Sequence, residues 1–166
     1  MCSSDLMGPL VSREQQERVE SYIAVGKGEG RLAVAGERPT DPRLAGGYFV
    51  PPTIFADVSN DARIAREEIF GPVMTVIPFR DPAEVVRLAN DNDYGLAAAV
   101  WSRDITKALN TARALRAGIV WINDTQPAPS EAPWGGYKQS GIGRELGAHG
   151  VEDYLEAKHI YVNLAE

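Results

Sequence analysis

A short stretch, Arg66-Glu67-Glu68-Ile69-Phe70-Gly71-Pro72, sets two carboxylates and an aromatic ring immediately before a Gly-Pro turn. An ionised carboxylate only accepts hydrogen bonds, so Glu68 is able to hold two hydroxyl donors at once, as a ribose diol presents them. Gly71 has no Cβ and Pro72 biases it toward an extended conformation, which lets a ligand come close to the backbone. A second reading is as simple: a charged helix end running into a core strand, with the acids solvated and Phe70 packed inside. Trp134, in Pro133-Trp134-Gly135-Gly136, poses the same choice between packing and binding. Trp101 and Trp121 fall in predicted strands and are expected in the core. His149 and His159 have neither metal-ligand nor triad spacing and read as surface residues.

The chain that must position these groups has 166 residues, 44% of them hydrophobic, enough for a sizeable core. Its formal net charge of −6 argues against nucleic acid or an anionic membrane surface as a partner, since both need a basic face. The longest apolar run, 96–101, is far short of the roughly 20 residues that span a bilayer, and no signal-peptide pattern opens the chain. One cysteine gives no internal disulfide framework and suits a reducing compartment, so the expected location is cytoplasmic. Residues 1–6 share no pattern with the rest, and Cys2-Ser3-Ser4-Asp5-Leu6 is what one reading frame of a common sequencing adapter encodes. They are expected to be a non-native leader, with the natural gene continuing upstream of Met7.

Ser12 with Gln15 forms a capping-box signature, and Val19, Tyr22 and Ile23 then recur at helical spacing until Gly26 and Gly28 are expected to stop the helix. Residues 31–36 read as a strand and 37–47 as a surface loop. Pro51-Pro52 limits 48–55 to an edge strand or an extended segment, and Ser59, Asn60 or Asp61 is expected to cap a short helix ahead of the opening turn. The apolar run 73–79 has the pattern of a central strand covered on both faces. Asp81-Pro82-Ala83-Glu84 starts a helix; 96–101 is a second strand; Asp104 caps a helix that Gly118 ends; 119–123 is a third strand. Strand, helix, strand, helix, strand predicts an α/β fold with a parallel sheet and flanking helices. The Pro- and Gly-rich segment 124–143 reads as a loop at a strand end, where open α/β sheets place their sites. Residues 144–157 read as short helical turns, and 158–164 as a final strand without a hairpin partner.

Four ordered motifs, Glu67-Glu68-Ile69-Phe70-Gly71-Pro72, Asn92-Asp93-Tyr94-Gly95-Leu96-Ala97, Pro133-Trp134-Gly135-Gly136-Tyr137-Lys138 and Ser140-Gly141-Ile142-Gly143-Arg144-Glu145, together resemble the carboxy-terminal part of an NAD(P)-dependent aldehyde dehydrogenase. The resemblance runs from Met7-Gly8-Pro9-Leu10 to the last strand. It implies that 7–143 is the carboxy-terminal part of the catalytic domain, 144–157 short helical turns, and 158–166 an oligomerisation strand and tail serving a homo-oligomer, dimer or tetramer. It further implies that Glu68 binds the nicotinamide-ribose hydroxyls, that Phe70 packs near the nicotinamide, and that Trp134 lines the aldehyde tunnel. Carbonyls around Lys138 and Gly141 hold potassium in some relatives, but no side chain here requires a metal.

In that family a Cys thiolate attacks the aldehyde, a hydride leaves to NAD or NADP, and a Glu-activated water hydrolyses the thioester. The resemblance places the nucleophile, the base and the nucleotide-binding unit upstream of Met7. Cys2 does not replace the nucleophile, because it lacks the family's surrounding residues and a frayed terminus is not pre-oriented. The isolated chain is therefore expected to be inactive. The run Trp121 to Pro127 with Pro133-Trp134 looks most like betaine-aldehyde and aminoaldehyde dehydrogenases, with an aliphatic or semialdehyde substrate as the other option. A separate reading makes the chain a non-catalytic binding or assembly module that docks through its terminal strand.

Overall fold

A computed structural model of the protein describes residues 7–164. The expected leader, 1–6, lies outside the described residues, as do 165 and 166. The chain divides into two compact units, Met1–Arg80 and Asp81–Glu166.

In the first unit, α1 (Arg13–Glu29) begins at Ser12, whose hydroxyl accepts from the Gln15 amide at 3.1 Å. Val19, Tyr22 and Gly26 form its buried stripe. The helix does not stop at Gly26 and Gly28 as expected but continues to Glu29. Gly26 has a packing role instead: a Cβ there would stand 2.6 Å from the Phe55 ring. The helical cost of a glycine, about 1 kcal/mol, is offset by letting a fully buried phenylalanine lie against the helix.

That ring belongs to β2 (Thr53–Ala56), which pairs antiparallel with β1 (Arg31–Ala35) and parallel with β3 (Val73–Thr75). Two expectations reverse here. β2 is the middle strand and not an edge, because Pro51 and Pro52 precede its first ladder residue and remove no ladder donor. The 73–79 run, expected to be central, supplies only a three-residue edge strand. Val73 registers with buried Thr53, whereas Met74 registers with Ile54 on the opposite face and is 58% exposed. The two-sided apolar pattern marks a strand built to be covered twice, and among the described residues α1 covers one face. The short helix α2 (Arg63–Arg66) also differs from expectation: Glu29 at the end of α1, and not Ser59, Asn60 or Asp61, caps it, accepting from the Arg63 and Ile64 amides at 3.1 and 3.0 Å. A carboxylate there also meets the positive end of the helix dipole. Val19, Tyr22, Val50, Phe55, Val58, Ile64 and Ile69 close the core.

In the second unit, Asp81 caps α3 (Pro82–Asn90) and Asp104 caps α4 (Ile105–Ala114), each accepting from the amide three residues on, at 2.9 and 3.0 Å. β5 (Ala97–Val100) and β6 (Ile119–Ile122) are parallel with α4 between them, so the βα-β alternation read from the sequence is present here. β4 (Tyr94–Gly95) pairs antiparallel with β7 (Tyr137–Lys138), inside the segment expected to be loop. The class is α/β, with small mixed parallel and antiparallel sheets in place of the single parallel sheet expected. The unit ends in α5 (Gly147–Glu152). The strand expected over 158–164 does not form: those residues carry no ladder and are exposed, and a strand needs a neighbouring edge to ladder with. Among the described residues no helix is long and apolar enough to cross a membrane.

Candidate functional site

The opening turn follows α2 and is held to α1 side chain by side chain. Tyr22 donates its hydroxyl to Glu67 Oε2 at 2.6 Å, and Arg63 Nε reaches both Glu67 oxygens at 2.9 Å. Arg18 donates to the Glu68 carbonyl at 2.9 Å, and Gln15 Nε2 donates to the Ile69 and Phe70 carbonyls at 3.1 and 3.0 Å. Ile69 is buried in the core, and Gly71 lies so close to Val19 that a Cβ would meet it at 2.6 Å. Glycine is therefore needed at 71 for packing as well as for the turn.

These bonds divide the labour between the two acids. Glu67 is the structural carboxylate, held below its ordinary pKa by the Arg63 hydrogen bond and then by that of Tyr22. Glu68 is exposed, and among the described residues its backbone carbonyl is engaged by Arg18 while its carboxylate oxygens have no donor. Phe70 is not core: the residue is 74% exposed and its backbone sits at φ +57°. A bulky residue in the left-handed region costs about 1–3 kcal/mol and persists only where its surroundings fix it. The bland reading of this stretch thus fits Glu67 and Ile69, while Glu68 and Phe70 face outward.

Because the Glu67 pKa is lower in the folded chain than in the unfolded one, its contribution to stability is complete above about pH 4.5 and is lost as the pH falls through the folded value. The urea midpoint of the chain is expected to drop as the pH falls below about 4.5, and to drop less in Glu67→Gln. Equal slopes for the two proteins would remove Glu67 from the linkage.

Trp134 is part of the second unit. Its amide and carbonyl exchange 2.7 Å hydrogen bonds with Glu145, and its ring is tilted 51° to that of Trp121 at a centroid distance of 6.2 Å. Trp121 is half-buried and not the core residue expected; its Nε1 donates to the Pro127 carbonyl at 3.0 Å. The two rings line a cavity of about 260 Å³ whose other walls include Ile119, Pro127, Ala128 and Pro133. Trp101, also expected in the core, is 67% exposed because β5 ends at Val100. His149 and His159 are on the surface, as expected. Lys138 directs its ammonium to the Asn90 and Asn92 carbonyls at 2.9 and 2.8 Å, so its charge is spent on tying β7 to the end of α3.

Sequence reasoning missed Gln15 and Trp121 as site residues. Gln15 was read only as half of a cap, and nothing local signals that its amide crosses to residues 69 and 70. Trp121 lies one turn of loop from Pro127, the closest hint that its indole has a partner.

Comparison with known proteins covers nearly the whole chain. The aldehyde dehydrogenase family profile matches residues 3–160. The chain is 55% identical over 157 residues to the betaine aldehyde dehydrogenase of Bacillus subtilis (strain 168), covering 94% of this chain and 32% of that protein. It is 51% identical over 158 residues to an aldehyde dehydrogenase of Agaricus bisporus, covering 95% and 31%. A crystal structure of Staphylococcus aureus betaine aldehyde dehydrogenase in complex with NAD+ is similar at a TM-score of 0.88 and 51% identity, covering 93% of this chain and 31% of that one. The chain thus spans about a third of the length of these relatives. With its motifs in order, its fold similar to that of a solved relative and its residues 3–160 matched by the family profile, the chain belongs to the aldehyde dehydrogenase family.

Proposed function

We propose that the chain is the carboxy-terminal part of an NAD(P)-dependent aldehyde dehydrogenase whose intact parent oxidises an aldehyde to the carboxylic acid through a Cys thioester. The observation that carries this reading is the turn at 67–71, where a carboxylate with both oxygens free stands beside an exposed ring on a backbone held in the left-handed region. Such a turn suits a diol next to a flat heterocycle. Glu68 would accept from the two hydroxyls of the nicotinamide ribose, and Phe70 would pack beside the nicotinamide and keep water from it. The cofactor, NAD or NADP, supplies the hydride acceptor when bound. Trp134, braced by Trp121, would form a wall of the aldehyde's path.

For the substrate, the betaine aldehyde dehydrogenases named above favour betaine aldehyde, and the run Trp121 to Pro127 with Pro133-Trp134 adds an aminoaldehyde; a Trp face attracts the cationic head of either by about 0.5–2 kcal/mol. The cavity itself favours a second reading. Besides the two indoles, its walls are Ile, Pro and Ala with no carboxylate, which suits an uncharged aliphatic aldehyde equally well. Assembly as a homo-oligomer through 158–164 belongs to the same proposal; Ile160, Val162 and Leu164 are exposed there and await a partner edge. A cytoplasmic location, with which the single cysteine agrees, does too.

Two assays test the proposal. The isolated chain is expected to form no NADH from betaine aldehyde, because the residues described here bind and orient but include no nucleophile. A graft, in which the matching third of the Bacillus subtilis enzyme is replaced by residues 7–164, is expected to oxidise aldehyde with NAD. Cofactor reduction by the isolated chain, or a folded graft without turnover, would overturn the reading.

A further inference from the structure

The turn carries strain at one residue, and one side chain is placed to hold it. Phe70 sits at φ +57°, and Gln15 Nε2 donates to the carbonyls on both sides of its α-carbon, Ile69 O at 3.1 Å and Phe70 O at 3.0 Å. Successive carbonyls of an extended strand point to opposite sides, so one amide group bonds both only when the chain coils at the residue between them. The bond pair is therefore selective for the coiled backbone at Phe70. Arg18 at the Glu68 carbonyl and Val19 against Gly71 fix the flanks, while the bonds to the carbonyls on either side of the Phe70 α-carbon come from Gln15. Gln15 itself is anchored in the first turn of α1, where its backbone amide meets the Ser12 hydroxyl. The latch thus stands on a regular element and reaches 55 residues along the chain to an irregular one.

We infer that Gln15 is a positioning residue, whose amide holds Phe70 in the left-handed region and thereby aims the Glu68 carboxylate and the Phe70 ring at the nicotinamide half of the cofactor. This rests on the cofactor reading of Glu68 and Phe70 above. Without the latch the two carbonyls that flank the Phe70 α-carbon lose their shared donor, and relaxation of φ +57° at Phe70 rotates the two side chains apart. The loss is one of cofactor placement and leaves the aldehyde's own binding untouched.

The test pairs Gln15→Ala with Gln16→Ala, a control on the same helix that also removes one long-range bond, from Gln16 Nε2 to the Phe49 carbonyl at 3.0 Å. In the full 166-residue chain, backbone NMR shifts are expected to report loss of the positive φ at Phe70 in Gln15→Ala and its retention in Gln16→Ala. In the graft, Gln15→Ala is expected to raise KM for NAD about tenfold with KM for the aldehyde unchanged, and Gln16→Ala to leave both unchanged. A positive φ at Phe70 that survives Gln15→Ala, or an unchanged KM for NAD in that variant while Glu68→Gln impairs the enzyme, overturns the latch and leaves the cofactor reading standing. If Glu68→Gln is itself without effect, the cofactor reading falls, and the functional half of this inference falls with it. Should the graft variant not fold, the NMR comparison in the chain decides the matter.

Discussion

Glu68→Gln in the grafted enzyme is expected to lower kcat/KM for NAD by roughly 10- to 100-fold. The estimate follows from replacing an ionised acceptor of two hydroxyl donors by an amide that keeps one good acceptor, when hydrogen bonds to charged groups contribute about 1.5–3 kcal/mol. The structure makes the substitution clean. The Glu68 side chain is exposed and its carboxylate holds no other group in place, so the fold has nothing to lose. Initial rates at varied NAD check it, with urea unfolding to establish that stability is unchanged. Unaltered turnover together with unaltered cofactor binding would exclude Glu68 from the site. Glu67→Gln serves as the contrast, since Glu67 is committed to Tyr22 and Arg63 and its loss is read in the acid stability described above.

The largest effect on folding is expected at Phe55. Its side chain is fully buried at the centre of β2, with its ring against Gly26 and the Gly30 backbone beside its Cβ. Truncation to Ala removes the contacts of a whole ring and leaves a cavity that the sheet and α1 cannot both close, a cost of about 3–5 kcal/mol. Small domains have stabilities of about 5–15 kcal/mol in total, so Phe55→Ala is expected to unfold the first unit in little or no urea. Phe79→Ala, at a ring that is 55% exposed, is expected to change stability by no more than about 0.5 kcal/mol. Fluorescence or circular dichroism during urea unfolding separates the two, and equal losses would show that the core is not where the structure puts it.

Local signals in the sequence were reliable where a residue acts on its near neighbours. Ser12, Asp81 and Asp104 cap the helices that their spacing announced, and the β5–α4–β6 unit follows from apolar pattern together with the Asp104 cap and the Gly118 stop. Reading failed where a residue answers to something distant. Gly26 looked like a stop because its value lies in the approach of Phe55, and Pro51-Pro52 looked like an edge because their position relative to the first ladder residue is not written locally. The run 73–79 is a three-residue edge strand and not the central strand expected, and 158–164 forms no strand, since whether and where an apolar segment joins a sheet depends on what covers and pairs it. At the site, the motif around Glu68 was legible as residue types. What sequence could not supply was the division of labour, in which Tyr22 and Arg63 occupy Glu67, Gln15 holds Phe70, and Glu68 is left open.

The central claim is that this open carboxylate receives the ribose of the nicotinamide. A crystal structure of the grafted enzyme with NAD measures it directly. Both ribose hydroxyls are expected within about 3 Å of the Glu68 carboxylate oxygens, with the Phe70 ring against the nicotinamide. An ordered cofactor whose ribose lies away from a solvent-facing Glu68 would contradict the account.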